Sequence, residues 1–432
     1  NSGAYVPSYV EIADAQCIPR FDGKICFMGR TPHPKIIPSE TNIKPSVFQG
    51  NGIDPPLYPV TQRPAFLKPT LLYQTGVEAK EAVESLIPVS VQPLKYAMNK
   101  LQATPCRKLR RWMAQFVDRY PDRAFEGFLP LSVRSASMKR WTIEQVLFGI
   151  PGVWAGLARD TAIGYDMERM GFKSRKEIWD PETRFIAPEL RRLVLELDKA
   201  VADGLEPKNV VAGCLKDETR ANETVEVGNT RLFCVGALSH LVWTIMNLGA
   251  AVTHCKQARG THGVAIGINP HGVEWKLIFH ELTKFGFETI IAGDYKGYDT
   301  SIQSFFGTLL AKAFNRMYQY DESSLNYRIL LAVCKSTIAP ILIIGNEVYW
   351  MDYFNSSGGW CTGVLNSFVN IMIFNFIWFY LQSMSDDEEF KKTRISKAMT
   401  RKVYGDDNVA NIHPRWAKYF NMHVLEELVF EF

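Results

Sequence analysis

RKVYGDDNVANI, residues 401–412, is the stretch on which the reading of this chain turns. It places two short β-prone runs around Gly405-Asp406-Asp407, and Gly and Asp are residues that favour tight turns. By average composition a Gly-Asp-Asp triplet arises in roughly one chain in fifteen of this length, so the triplet alone decides little. Its bland reading is a solvent-facing hairpin. Val403 and Val409, one on each side, argue instead for a turn anchored in a core.

Upstream, GFETIIAGDYKGYDTSI at 286–302 has the same character. Thr289, Ile290, Ile291 and Ala292 form a β-prone run bounded by glycines, with Asp294 at its end. Phosphoryl transfer assisted by two hard cations about 4 Å apart needs acidic oxygens converging from two points of a rigid frame. Asp294 and Asp406 supply two such points. Asp299, five residues after Asp294, projects beyond the strand and can accept a hydrogen bond from a ribose hydroxyl, the group that separates RNA from DNA. A helix N-cap or first-turn acid is the alternative for Asp299.

Between these stretches lies NSSGGWCTGVLNSFVN, 355–370, a flexible glycine loop opening into an apolar helix. Thr362 and Asn366 are four apart and share a helical face, where hydroxyl and amide groups can position a sugar or satisfy nearby backbone. No charged residue stands between Asp352 and Asp386, long enough for a membrane span. Ser356, Ser357, Asn366, Ser367, Asn370 and Asn375 make hydrocarbon an expensive place for it, so a buried helix of a protein core is expected and no transmembrane span. Farther upstream, LKDETRANETVEVGNTRLF (215–233) carries Lys216, Arg220 and Arg231. These cations are suited to a triphosphate, with solvated charge as the alternative.

The 432 residues are 47% hydrophobic and 22% charged, a globular balance with room for two or three domains. A formal charge of +4 is too mild to mark a nucleic-acid binder by itself. The eight cysteines form no CxxC pair, which excludes a zinc ribbon and a dense disulfide framework and fits a reducing cytoplasm. The N-terminus has no secretory signal, and its lack of Met fits excision from a precursor.

Nine prolines between 30 and 70 favour an extended, ordered strap. Helical pattern runs from about 78 to 116, where the basic run Arg107, Lys108, Arg110 and Arg111 beside Trp112 can track a phosphate backbone or form a solvated face. Further helices are expected near 142–150, 187–203, 232–250, 273–286 and 302–318, a strand at 348–354, and helix again from Trp416. The order of strand, helix, strand-turn-strand and helix implies an α/β sheet with helices on one face.

Taken in order, these segments resemble the RNA-dependent RNA polymerases of picornaviruses and their insect-infecting relatives, the dicistroviruses and iflaviruses. KDETR with Arg231 resembles motif F, DYKGYD motif A, SGGWCTGVLN motif B, YGDD motif C, and DTAIGY at 160–165 motif G. The resemblance implies an α+β right-hand polymerase whose palm is an antiparallel sheet backed by helices. Its expected parts are fingers with an N-terminal fingertip strap at 1–245, palm at 246–330, a fingers insertion at 331–355, and the rest of the palm at 356–432. NMHVLEELVFEF resembles the start of motif D, so the motif D lysine, motif E and the thumb are expected beyond Phe432, and the stretch ending there is expected to have little processive polymerase activity by itself.

Carried across, Asp294, Asp406 and Asp407 become the catalytic carboxylates and, with Tyr295, the metal ligands for two Mg²⁺ ions, with Mn²⁺ as substitute. Asp299, Ser357, Gly358, Thr362 and Asn366 match ribose-sensing positions. Lys216, Arg220 and Arg231 match triphosphate-facing cations, and Thr161, Ala162, Ile163, Gly164 and Tyr165 match a template-entry loop. The implied partners are an RNA template and product, NTPs, a genome-linked protein primer and other viral replication proteins, at membrane-associated complexes in the host cytoplasm. Thr224 and Asn229 replace lysines usual in motif F, and Asp166 stands where motif G usually has proline. Three other readings remain open: a reverse-transcriptase-like polymerase, a cysteine protease built on Cys361, and a non-catalytic RNA-binding scaffold.

Overall fold

The computed structural model describes residues 3–12, 26–33, 67–69, 101, 107–128, 138–216, 218–221, 229–258, 262–269, 271–295, 297–356 and 358–431. Nearly all of the proline-rich strap and of the helical pattern before Arg107 lies outside them, as do Ser357 and Lys296.

Two sheets frame the chain. The larger is built from β1 (Cys26–Arg30), β2 (Val210–Leu215), β3 (Leu232–Gly236), β5 (Ile341–Ile344) and β6 (Glu347–Trp350). The smaller is built from β4 (Ile290–Gly293), β7 (Met399–Tyr404) and β8 (Asp407–Ile412). In the first the order is β1-β6-β5-β2-β3, antiparallel except for the β5–β2 pair. In the second it is β4-β8-β7, antiparallel throughout.

The principal helices are α1 (Arg107–Arg119), α2 (Pro188–Ala202), α3 (Leu238–Gln257), α4 (Glu274–Leu282), α5 (Phe305–Tyr318), α6 (Leu325–Ile338), α7 (Thr362–Met384) and α8 (Met422–Glu431). The helix expected at 232–250 is thus a strand followed by a helix. Phe233 and Val235 suit a pleated surface, and the segment pairs with Val211–Leu215. Cross-strand partners remote in sequence override the local helical pattern.

α7 is the apolar stretch, and it lies in the core. It is long and apolar enough to cross a membrane, yet 78% of its most apolar window is buried in the protein. Phe368, Val369, Ile371, Met372 and Phe374 are each at most 1% exposed. At ~2 kcal/mol for each fully buried large side chain, that set contributes on the order of 10 kcal/mol before entropy is counted. An unpartnered buried amide costs about 1–3 kcal/mol, so each polar group on the helix needs a partner. Asn366, Ser367, Asn370, Asn375 and Gln382 all have one: Asn366 reaches Asp299, Ser367 and Asn370 both reach Gly405, Asn375 reaches Ala124 and Gln382 reaches Thr393.

Helices cover both faces of β7 rather than one. Side chains alternate along a strand. Thr400 bonds the Glu281 carbonyl and Lys402 pairs with the Glu281 carboxylate at 2.6 Å, both toward α4, whereas Arg401 points to Asn375 of α7. The β-prone pattern of a three-stranded sheet does not reveal which face is covered; Lys402, 7% exposed, shows by its burial that the α4 side of β7 is covered too.

Candidate active site

The hairpin register brings the acids together. Gly293 of β4 pairs with Asn408 of β8 as the last pair of the ladder, so Asp294 leaves β4 at the end of the sheet where Asp407 opens β8. Gly405 and Asp406 form the turn between β7 and β8, with Gly405 at φ +68°, a left-handed conformation that glycine adopts without a Cβ clash. Asp294 and Asp407 are exposed and Asp406 is partly so. Burial raises the Asp406 carboxyl above its ordinary value; a backbone hydrogen bond opposes this, and the charges of Asp407, Asp294 and Asp299 push it further up.

Among the described residues no group of three His, Cys, Asp or Glu side chains is arranged so that it could hold a metal ion by itself. The donor set nevertheless suits Mg²⁺, which keeps several waters and is held by one or two carboxylates together with substrate phosphates. Four mutually repelling carboxylates at one sheet end are an arrangement a divalent cation relieves. Tyr295 is different from the other expected ligands, because its hydroxyl turns to Asn370 Oδ1 at 3.5 Å and burial holds the phenol protonated. Only its backbone carbonyl is left as a donor.

The turn is clamped from α7. Gly405 N–H donates to Ser367 Oγ at 2.8 Å, and Asn370 Nδ2 donates to the carbonyls of Gly405 and Asp406 at 3.1 and 3.0 Å. One helical turn earlier, Asn366 Nδ2 donates to Asp299 Oδ1 at 3.0 Å, and Asn355 Nδ2 holds Asn366 Oδ1 at 2.6 Å. Ser367 and Asn370 were not among the sequence candidates. The available signal was their spacing with Asn366 on a helix that is otherwise apolar.

Thr362 lies on that helix but does not reach the site. Its hydroxyl donates to the Ser356 carbonyl at 2.9 Å and closes the glycine loop, the backbone-satisfying role left open above. Gly358, at φ +109°, sits where a Cβ would come within 2.6 Å of the Cys234 carbonyl on β3, so this loop presses on the strand that carries Arg231's neighbours. Arg231 donates to Glu218 through Nε at 2.7 Å, and Lys216 pairs with the same carboxylate at 3.2 Å. The Arg231 bonds bring Glu218 down to about 2. Both cations remain about half exposed, and Arg220 lies on a short strand, Thr219–Ala221.

The candidate template loop is only partly a surface. Thr161 and Ala162 are exposed, while Ile163, Gly164 and Tyr165 are buried. Tyr165 donates to the His33 carbonyl at 3.0 Å, and Arg175 holds the Ala162 carbonyl at 2.8 Å. Asp166 is wholly buried and accepts from the N–H groups of Leu238 and Ser239, both at 2.8 Å. It caps α3 from 72 residues away, a task proline cannot perform, which accounts for aspartate at this place. Asp166→Ala leaves two buried N–H groups unpaired and is expected to cost about 2–4 kcal/mol; a urea midpoint giving less than ~1 kcal/mol would contradict the cap. Cys361 is buried and its thiol is pushed up to about 12, the reverse of what a nucleophilic cysteine needs.

A family model described as viral RNA-dependent RNA polymerase matches residues 139–431. The chain is 28% identical over 286 residues to the replicase polyprotein of Cricket paralysis virus, covering 63% of this chain and 16% of that polyprotein. It is 29% identical over 217 residues to the replicase polyprotein of Acute bee paralysis virus, covering 49% of this chain and 11% of that one. In fold it is similar to the Sicinivirus 3Dpol RNA-dependent RNA polymerase, with a TM-score of 0.64 at 18% identity, covering 91% of this chain and 74% of that one.

Proposed function

The chain belongs to the viral RNA-dependent RNA polymerase family, and from that membership we propose that it extends an RNA or protein-linked primer by templated transfer of NMP from NTP, releasing pyrophosphate. The observation that carries this reading is the meeting of Asp294, Asp406 and Asp407 at one end of the antiparallel sheet, with the Asp299–Asn366 pair beside them. Asp294 and Asp406 would hold two Mg²⁺ ions, or Mn²⁺, with Asp407 and the Tyr295 carbonyl in support; bound there, the ions supply Lewis-acid charge to the attacking oxygen and to the departing pyrophosphate. Lys216 and Arg231, released from Glu218, face the triphosphate with charge-assisted hydrogen bonds. Sequence choice rests with base pairing. The template passes over Thr161 and Ala162, the exposed part of its loop.

In this reading residues 1–245 with 331–355 form the fingers, and 246–330 with 356–432 form the palm. The shared sheet of β1, β2, β3, β5 and β6 supports grouping 331–355 with the N-terminal part. Replication at host cytoplasmic membranes, with a genome-linked primer protein and other viral proteins as partners, belongs to the same proposal.

The Asp299–Asn366 pair presents an acceptor that a 2′-hydroxyl can satisfy and a deoxyribose cannot. A site built to bond a hydroxyl rejects the analogue that lacks it far more strongly than an apolar pocket rejects an extra one. Asp299→Ala is therefore expected to reduce the preference for NTP over dNTP about tenfold or more. Single-nucleotide incorporation on a primed RNA measures it. Equal loss with both sugars would remove the pair from sugar selection.

A further inference from the structure

Arg401 stands three residues before the turn, on the strand that delivers Asp406, and it has no part in the chemistry described so far. Its Nη2 donates to the Glu126 carbonyl at 2.8 Å and to Asn375 Oδ1 at 2.7 Å. Asn375 Nδ2 donates in turn to the carbonyls of Ala124 and Glu126, at 2.8 and 3.0 Å. The guanidinium also lies 5.8 Å from the centre of the Phe374 ring. Gly127, at φ +87°, makes room for it, since a Cβ there would meet Nη2 at 3.1 Å.

A second path joins the same places through backbone. Gly263 N–H donates to the Gly127 carbonyl at 3.0 Å, and Val403 N–H donates to the Gly263 carbonyl at 2.8 Å. The carboxylate of Glu126, meanwhile, holds Ser396 N–H and Arg394 Nε, both at 3.1 Å. Residues 124–127 are therefore a fixed block to which β7 and α7 are both tied.

The energetics of Arg401 argue against a role in stability. Part of the residue remains open to solvent, but Nη1 is buried with no hydrogen-bond partner, and the head rests on neutral acceptors. Burial pulls it down to about 10, with Glu126 and Tyr295 opposing. Removing the guanidinium relieves a desolvated charge and deprives the Glu126 and Asn375 oxygens of a donor, so its two contributions to stability oppose each other. What the planar guanidinium supplies here is position, because the two N–H groups of Nη2 form a fork whose acceptors lie on different segments and fix β7 along its own axis as well as across it.

We propose that Arg401 is a positioning residue, setting the axial placement of β7 against residues 124–127 and Asn375 so that Asp406 meets Asp294 at metal-bridging distance. This rests on the function proposed above. A residue that only supports packing would alter stability and leave the site of the folded molecules unchanged. A positioning residue does the reverse, and small misplacements of reacting groups are costly in rate.

The test compares Arg401→Met and Arg401→Lys with the unsubstituted chain. Mn²⁺ binding is read by electron paramagnetic resonance, incorporation by single-nucleotide extension, and stability by thermal unfolding in chelator. Expected for Arg401→Met are Mn²⁺ binding weakened about threefold to tenfold, kcat reduced about tenfold or more with KM for NTP nearly unchanged, and an unfolding midpoint little changed. Arg401→Lys, which keeps the charge and loses the fork, falls between. Unaltered Mn²⁺ binding in both variants, or activity lost only in proportion to the unfolded fraction, overturns the proposal. If Mn²⁺ binding to the unsubstituted chain is indifferent to Asp294→Asn and Asp406→Asn, the underlying assignment fails instead.

Discussion

Asp406→Ala is expected to lower nucleotide incorporation by about 10³-fold or more, with Asp294→Ala close behind, while both variants remain folded. A metal ion contributes several kcal/mol of charge stabilisation at the transition state, and ~4 kcal/mol lost corresponds to about 10³ in rate. The two acids come from separate places, the end of β4 and the β7–β8 turn, so removing either leaves half of a divided ligand set. Their loss should spare stability in the absence of metal. The Asp406 carboxyl is raised by burial and by Asp407, Asp294 and Asp299, so the folded state disfavours its charged form.

The sign of the pH effect follows. Below the ordinary carboxylate value both folded and unfolded chains are protonated at this position, and the raised group has no net effect on folding. As the pH climbs past that value the unfolded chain ionises first, and the native protein loses stability relative to the alanine variant. Unfolding followed in chelator from pH 3 to 7 should thus show Asp406→Ala gaining on the unsubstituted chain as pH rises. Added Mg²⁺ should reverse the order by binding only the native acids. An alanine variant that is less stable than the unsubstituted chain across this range in chelator would mean that Asp406 is a structural turn residue.

Much of this centre is legible in the chain because its chemistry is carried by short segments whose local signals agree. The β-prone run before Asp294, the glycine at 405 that allows a left-handed turn, and the uncharged stretch that becomes α7 each declare themselves without the rest. What stays hidden is set by partners far away in sequence. LFCVG at 232–236 extends a helical pattern on paper and is a strand because Val211–Leu215 lies beside it. α3 begins at Leu238 because Asp166 supplies its cap. The Arg401 socket is assembled from Glu126 and Asn375, 275 and 26 residues away. Asn370 is an intermediate case: its place on the face of Asn366 was readable, but its target was not, since nothing local says that a helix amide will reach a hairpin turn.

That target makes Asn370 the second residue whose loss should be severe. Its amide nitrogen is the donor to two successive carbonyls of the catalytic turn, and its own oxygen faces the Tyr295 hydroxyl, so one fully buried side chain joins the turn to the strand end that bears Asp294. Asn370→Leu keeps the number and branching of the heavy atoms and removes both donors. The Gly405 carbonyl would then lose its donor and the Asp406 carbonyl the shorter of its two, leaving Ser367 Oγ on the Gly405 N–H and Asn408 Nδ2 on the Asp406 carbonyl at 3.3 Å. A shift of about 1 Å in a reacting group can cost 10²-fold in rate, and an effect near that size is expected on kcat. Stability should fall by about 1–3 kcal/mol, the cost of leaving buried acceptors unpaired. Because that stability loss is too small to empty the native state at 25 °C, activity per folded molecule can be measured directly. Asn370→Asp separates the two contributions: it keeps the shape, offers no amide donor, and adds a negative charge beside an already repelling cluster, so it should be slower than Asn370→Leu. Should Asn370→Leu retain full kcat in its folded fraction, the turn is held by Ser367 and the β7–β8 ladder alone.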